Sequence, residues 1–452
     1  MTNYGTPATY AIRTDSQNGS AGDKRGLILE NTIMDKCGKV QIVRRIANSY
    51  GRFYRVVMKN NSEYIPQSIR RSIGMNESAG TATGDIAGGD YRIEDSFIEG
   101  AVHIGGGTGL TTGSLVFKNS LLNGTTIAGY PSMTKGGYVD ASEFDLMFLV
   151  SRVPSASDSG QIPGGAITRI VSTRDYATNP HMFFMNAATH TINGAILYIQ
   201  PNNGTNGDCL MMSPTGLSSH TIVVTNALML PTTGYEPSCV FMNMTGTAEC
   251  GGVTCPLITA ERNTYMADNK LPSGVSGEGS QGHPGIFVSV QNNLVWKKTS
   301  GIGYVTAFLK DVVLATGTWV TADYNWYHNL TGTRYFDTSG VMSDFQNTPG
   351  LNDRSGDPMF RDETRDPIIF ANRYDVNVSS LQGVVAKFQP VYMDMALGTS
   401  TGDPRYNIQD MYNWIRAGWV SRSSATWTAA NDGGHVGGVA PDKTFGVYSS
   451  AL

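Results

Sequence analysis

At 452 residues the chain is long enough for several ordinary domains or for one extended repeat array. With 53 glycines and 40% hydrophobic residues, the composition excludes a disordered chain and suits short strands joined by tight turns. A net charge of −4 gives no reason to expect nucleic acid as a partner, and no stretch approaches the roughly 20 apolar residues that span a bilayer.

The chain opens on Met1-Thr2-Asn3-Tyr4, with no charged start leading into an apolar run. Residues 1–25 are expected as an N-terminal arm without a signal peptide, and the protein as one made in a cytoplasm. From Gly26 a short phrase recurs: apolar, any, polar, Asn or Asp, then strand-forming residues. It appears as Leu29-Glu30-Asn31-Thr32-Ile33, Ile93-Glu94-Asp95-Ser96-Phe97, Phe117-Lys118-Asn119-Ser120-Leu121 and Val224-Thr225-Asn226-Ala227-Leu228. Later forms are Val290-Gln291-Asn292-Asn293-Leu294, Leu309-Lys310-Asp311 and Ala322-Asp323-Tyr324-Asn325-Trp326, with Ala260-Glu261-Arg262-Asn263 as a looser version. Several gaps are roughly 24 to 37 residues, a length that suits one solenoid turn with loops.

In stacked parallel strands, equivalent residues form columns about 4.8 Å apart. A polar turn between two strands leaves backbone groups that need partners, and Asn supplies both a donor and an acceptor. The phrase begins new strands rather than reversing them, which argues against a β-sandwich. The reading is therefore all-β: a right-handed, single-stranded parallel β-helix over residues 26–370. Asn31, Asn119, Asn226, Asn292 and Asn325 are placed at turns beside apolar ladders. Segments near 49–90, 130–165 and 267–284, rich in Gly, Ser, Pro or charge, are expected to project as loops. The basic stretch carrying Arg44, Arg45, Arg70 and Arg71 is expected as a solvated or subunit-contacting insertion. The five cysteines (Cys37, Cys209, Cys239, Cys250 and Cys255) are odd in number and irregularly spaced, so reduced, mostly buried thiols are expected.

Chemistry on such a scaffold would need paired carboxylates or a carboxylate beside stacking aromatics. Asp140, Glu143 and Asp145 form one such group. Asp323 stands near Trp326, Tyr327 and His328. Aligning Asn293 with Asn325 puts Trp296 and His328 in one column and Val295 and Tyr327 in the next, so Trp296, Trp326, Tyr327 and His328 are glycan-binding candidates. Ladder stacking explains the same residues. Asp353, Asp357, Asp362, Glu363 and Asp366 alternate with Arg354, Arg361 and Arg365, a pattern of turn capping and ion pairing. The Gly-rich run after His103 matches no phosphate-loop spacing, and no metal or cofactor is expected.

Residues 371–452 are read as a C-terminal cap and tail. Asn407 to Gly418 looks like a short helix whose apolar face is Ile408, Met411, Tyr412 and Ile415. Trp414 and Trp419, on or just after it, are expected to pack on the solenoid end or on a neighbouring subunit. The phrase Gly356-Asp357-Pro358-Met359-Phe360-Arg361-Asp362 resembles one that follows the last coils of pectate-lyase-like β-helix proteins. Asn413-Trp414-Ile415-Arg416-Ala417-Gly418, followed by the Gly-rich, His-bearing run Asn431 to Gly438, resembles the ends of β-helical virion proteins of tailed bacteriophages. That resemblance implies a structural protein on the surface of head or tail, of decoration or spike type, located in the virion. It implies a homotrimer, or several copies beside other virion proteins, with host-surface glycan as a further contact. A tailspike-type polysaccharide depolymerase, lyase or glycoside hydrolase, is the alternative. No nucleic-acid or membrane partner is expected.

Overall fold

The computed structural model describes residues 10–14, 26–35, 37, 39–43, 49–59, 71–77, 89–99, 101–104, 114–124, 132–133, 142–152, 161–162, 165–175, 183–185, 189–200, 210–212, 221–231, 238–244, 257–267, 273–279, 287–297, 309–310, 319–329, 336–337, 351–365, 367 and 408–441. The described residues are mostly strands in parallel sheets, with one α-helix among them, so the protein is all-β. They group into two compact units. The first comprises Met1–Thr178, Phe183–Ala187 and Ile368–Asp410; the second comprises Asn179–Met182, Ala188–Pro367 and Met411–Leu452.

In the first unit Gly26–Asp35, Ser49–Lys59, Gly89–Glu94, Ser114–Gly124, Ser142–Arg152 and Gly165–Thr168 pair in parallel, each with the next. A second parallel sheet runs through Tyr10–Thr14, Lys39–Val43, Arg71–Glu77, Ala101–Ile104 and Ser132–Met133. The register stacks like on like. Phe53, Ile93, Phe117 and Phe144 form one buried column, and Val57, Phe97, Leu121, Phe148 and Val171 another. The Phe117 and Phe144 rings lie 5.1 Å apart and nearly parallel, as the strand spacing dictates.

The second unit repeats the scheme through strand pairs of which Thr221–Thr225 with Leu228–Pro231, and Phe287–Gln291 with Leu294–Lys297, are typical. Leu197, Met229, Tyr265, Val295 and Tyr327 stack in one buried column. Another parallel sheet joins Leu210–Met212, Ser238–Met244, Ser273–Gly279, Leu309–Lys310 and Phe336–Asp337.

A residue with positive φ recurs in the middle of the long strands or between two consecutive short ones. Asn31, Arg55, Asp95, Asn119, Leu146 and Arg169 take φ of 44 to 54° in the first unit. Gly194, Asn226, Arg262, Asn292 and Tyr324 take 54 to 71° in the second. Asn and Gly suit this conformation; the other side chains are held in it by the surrounding ladder. The residue after the bend turns inward, and in the second unit Asn263, Asn293 and Asn325 are all buried there. Asn31, Asn119, Asn226 and Asn292 thus occupy the bend itself, and Asn325 the inward place after it. The recurring phrase can be read in two frames one residue apart, and the expected turn asparagines divide between them.

The inward side chain closes a specific bond. Val56 N–H donates to Ser96 Oγ at 3.0 Å, and Ser96 N–H to Ser120 Oγ at 3.1 Å. In the second unit Ala227 N–H donates to Asn263 Oδ1, Asn263 N–H to Asn293 Oδ1 and Asn293 N–H to Asn325 Oδ1, at 2.9 to 3.0 Å. The same asparagines donate Nδ2 to the carbonyls of Val224, Ala260 and Val290. At these bends the backbone N–H groups after the turn are thus satisfied from the neighbouring strands.

The segments expected as projecting loops contain strands: Ser49–Lys59, Arg71–Glu77, Ser142–Arg152 and Ser273–Gly279. In Ser49–Lys59 the charges that suggested a loop sit partly on the outer face, while Phe53, Val56, Val57 and Met58 are buried. Within the expected N-terminal arm, Tyr10–Thr14 forms a strand. No helix among the described residues is long and apolar enough to cross a membrane.

Candidate functional site

Among the described residues, two surfaces gather polar side chains that could do chemistry or bind a partner. The first is the outer strand face of the first unit, where Glu30, Arg52, Tyr54, Arg92 and Glu94 line an open depression of about 370 Å³. Register places Arg52 beside Arg92, and Asp90 bridges them. It accepts Arg52 Nε at 3.1 Å and Arg92 Nε at 2.8 Å, with a further contact from Arg52 Nη2. The hydrogen bond to Asp90 raises the Arg92 guanidinium above its ordinary range, against the opposing effect of burial. Lower on this face Lys118 pairs with Glu143 at 2.7 Å.

Asp145 accepts Arg169 Nε and Thr168 Oγ1, each at 2.8 Å. Burial pushes its carboxyl up, but the bonds from Arg169 and Thr168 outweigh that and leave it below the ordinary range. Arg169 in turn donates Nη1 to Gln409 Oε1 at 2.7 Å. Glu143 and Asp145 thus share a strand, and each holds a different cation.

Among the other chemical candidates, Asp323 ends the strand Trp319–Asp323. Its Oδ1 accepts the N–H groups of Tyr324 and Asn352, both at 2.8 Å, and its Oδ2 accepts Asn352 Nδ2 at 2.9 Å. Both carboxylate oxygens therefore clamp a turn. Trp296 stands opposite His328 and Val295 opposite Tyr327, the columns expected from the sequence. Trp296, Trp326 and Tyr327 are 6%, 5% and 1% exposed, so they present no stacking platform to solvent. Trp326 Nε1 donates to Gly356 O at 2.8 Å, and His328 Nε2 lies 4.0 Å from Asp357.

The second surface is the C-terminal segment on the bend column of the second unit. The helix Ile408–Gly418 has Ile408, Met411, Tyr412 and Ile415 buried, as its spacing implies. Tyr412 Oη donates to Gly194 O at 2.7 Å, and Arg416, one turn on, donates Nη1 to Asn226 O at 2.8 Å. A helical turn rises about 5.4 Å and strands lie about 4.8 Å apart, so successive helix turns meet successive bends. Arg416 also donates to Gly438 O, and burial pulls its guanidinium below the ordinary range.

The loop after the helix continues the match. Arg262 reaches Asp432 and donates Nη1 to His435 O at 2.9 Å. Asn292 and Asn431 exchange two bonds, Gly437 N–H donates to Asn292 O, and Gly438 N–H donates to Thr264 Oγ1. Trp419, 1% exposed, packs edge-on to Trp296 and Phe360 and donates Nε1 to Arg365 O. Trp414 is half-buried under the Arg365 guanidinium, 4.7 Å from its ring centroid.

No family model, curated protein or solved structure matches this chain.

Of the remaining candidates, Arg71 lies in the strand Arg71–Glu77, and its side chain is outside the described residues. Arg44, Arg45, Arg70 and Asp140 lie outside them altogether, as do Cys209, Cys250 and Cys255. Cys37 is buried and Cys239 lies in a strand. Sequence reading missed Arg262, Arg416 and Asn431 as the residues joining the tail to the strands. Nothing local marked them, since Arg also fills the bend positions 55 and 169.

Proposed function

We propose that the chain is a right-handed parallel β-helix serving as a structural, surface-exposed component of a tailed-bacteriophage virion, of decoration or spike type. One observation carries this reading: the groups that looked chemical are spent on holding the rungs together. Asp323 uses both oxygens to clamp a turn, and Trp296 lies beneath Trp419. The phrase around Asp357-Pro358, similar to one of pectate-lyase-like β-helix proteins, supports the β-helix, and the run from Trp414 to Gly438, similar to the ends of β-helical virion proteins, supplies the virion part of the proposal. Assembly as a homotrimer, or as several copies beside other virion proteins, belongs to the same reading.

The test is direct. Purified particles should contain the protein in several copies by quantitative mass spectrometry, with immunogold label on the particle surface. Isolated protein should leave host capsule and lipopolysaccharide uncleaved. Absence from particles would overturn the virion reading. Release of reducing ends or unsaturated sugars would replace the structural role with a polysaccharide depolymerase.

A further inference from the structure

Residues 418–423 of the C-terminal segment are bonded to residues 358–365, whereas residues 431–438 are tied to the bend column through Arg262, Asn292 and Thr264, and a histidine sits in that second attachment. His435 follows Gly433-Gly434, and its carbonyl accepts Arg262 Nη1. Its Nε2 is buried and makes no hydrogen bond among the described residues. The charged groups bearing on the ring are Arg262 from the strand bend, Arg416 from the helix and Asp432 from its own loop. Two cations thus face the imidazole against one carboxylate, and Asp432 is itself committed to Arg262 and to Gly434 N–H.

We propose that residues 431–438 form an acid-released strap, seated on the bend column while His435 is neutral and lifted when His435 takes a proton. A proton on Nε2 would add a third positive charge beside Arg262 and Arg416 and a buried N–H needing an acceptor. Water supplies that acceptor once the loop leaves. Lifting then breaks the bonds of Gly437 and Gly438 to Asn292 and Thr264.

The sign is consistent. Burial first, and then the Arg262 and Arg416 charges, hold His435 below the ordinary value of 6.5, with Asp432 opposing. The seated state therefore disfavours the proton, and its stability falls as pH drops below 6.5, until the lowered pKa of the seated form is reached. Asp432, held down to about 2 by the Arg262 bond, contributes only below the ordinary carboxylate value of 3.8, so it does not act in that window.

Hydrogen exchange of the full chain between about pH 8 and about pH 5, corrected for intrinsic rates, tests this. Protection of 431–438 should fall by up to about tenfold for each pH unit between 6.5 and the lowered value of the seated form, while strand 287–297 holds its protection. His435→Gln should remove the pH dependence. Exchange in the strand Thr189–Asn193, where His190 is fully buried, is read alongside as a separate region. Constant protection of 431–438 in the unaltered protein, or the same pH dependence in His435→Gln, would overturn the proposal.

Discussion

Asn325 donates its backbone N–H to Asp353 Oδ1 at 2.7 Å, and with that bond a column of buried amides comes to its end. Asn263, Asn293 and Asn325 each accept a backbone N–H on the side-chain oxygen and donate their own N–H onward, and Asp353 supplies a carboxyl oxygen in the place of the next amide. Replacing it by Ala should leave the Asn325 N–H without this acceptor, at about 1–3 kcal/mol. Asp353→Asn, which keeps an acceptor oxygen, should lose less. Amide exchange at Asn325 and urea denaturation would show the difference, and equal losses would remove Asp353 from this role.

Parallel strands were legible because inward columns such as Phe53, Ile93 and Phe117 are built from strand formers and the bend favours Asn or Gly. The frame was not, because Asn292-Asn293 offers two adjacent asparagines and only coordinates show which one bends. Strands such as Ser142–Arg152 were hidden by charges on their outer face, since Glu143 and Asp145 mask the buried Phe144 and Phe148. The tail attachment was illegible for another reason. Arg262 and Asp432 are far apart in sequence, and no local periodicity announces a long-range pair.

Trp419 should anchor the C-terminal segment far more than Trp414 does. Trp419 is enclosed by Trp296 and Phe360, so Trp419→Ala opens a cavity and should cost about 3–5 kcal/mol in the second unit. Trp414 is half-exposed with one guanidinium stacked on it, so Trp414→Ala should cost about 0.5–1 kcal/mol from that contact. Thermal melting of both variants, with exchange read over 411–441, checks the ranking. Equal effects would count against the Trp419 anchor.

The outer ion pairs of the first unit should contribute little. The Arg52 side chain is 50% exposed and its Asp90 partner 27%, so solvent and salt screen their attraction. Arg52→Ala should shift stability by no more than about 1 kcal/mol, and added salt should narrow even that. A large loss would mean that Arg52 packs against Tyr50, 5.8 Å from its guanidinium, more than it pairs with Asp90.

Asp145 should make the first unit acid-sensitive in a narrow range. Its carboxyl lies below the ordinary 3.8 because bonds from Arg169 and Thr168 exceed the opposing effect of burial. The folded form binds its proton less readily than the unfolded chain, so this contribution is full above 3.8 and is lost as pH falls through the lowered value. Carboxyl NMR titration should report the lowered value, and Asp145→Asn should flatten the acid limb of the stability profile.

Gly437→Ala should detach the tail at one point without touching the strands. Gly437 has φ of +88°, a conformation that side chains rarely adopt, and its N–H donates to Asn292 O. A Cβ there would lie 2.9 Å from Leu294 Cβ and 3.0 Å from Thr264 Oγ1, both on the strands beneath. Neither contact can relax cheaply, because Leu294 is 1% exposed and Thr264 already accepts the Gly438 N–H. Backbone strain alone should cost about 1–3 kcal/mol, and the loop can relieve it by lifting away. Gly433→Ala is the control: φ there is +76°, but nothing lies within 4 Å of the added carbon. Both variants carry the backbone cost, and only Gly437→Ala adds the clash. Exchange at Gly438 and Asn431 should therefore rise more in Gly437→Ala, with strand 287–297 unchanged in either. Equal exchange in the two variants would show that Gly437 is not where the tail is held.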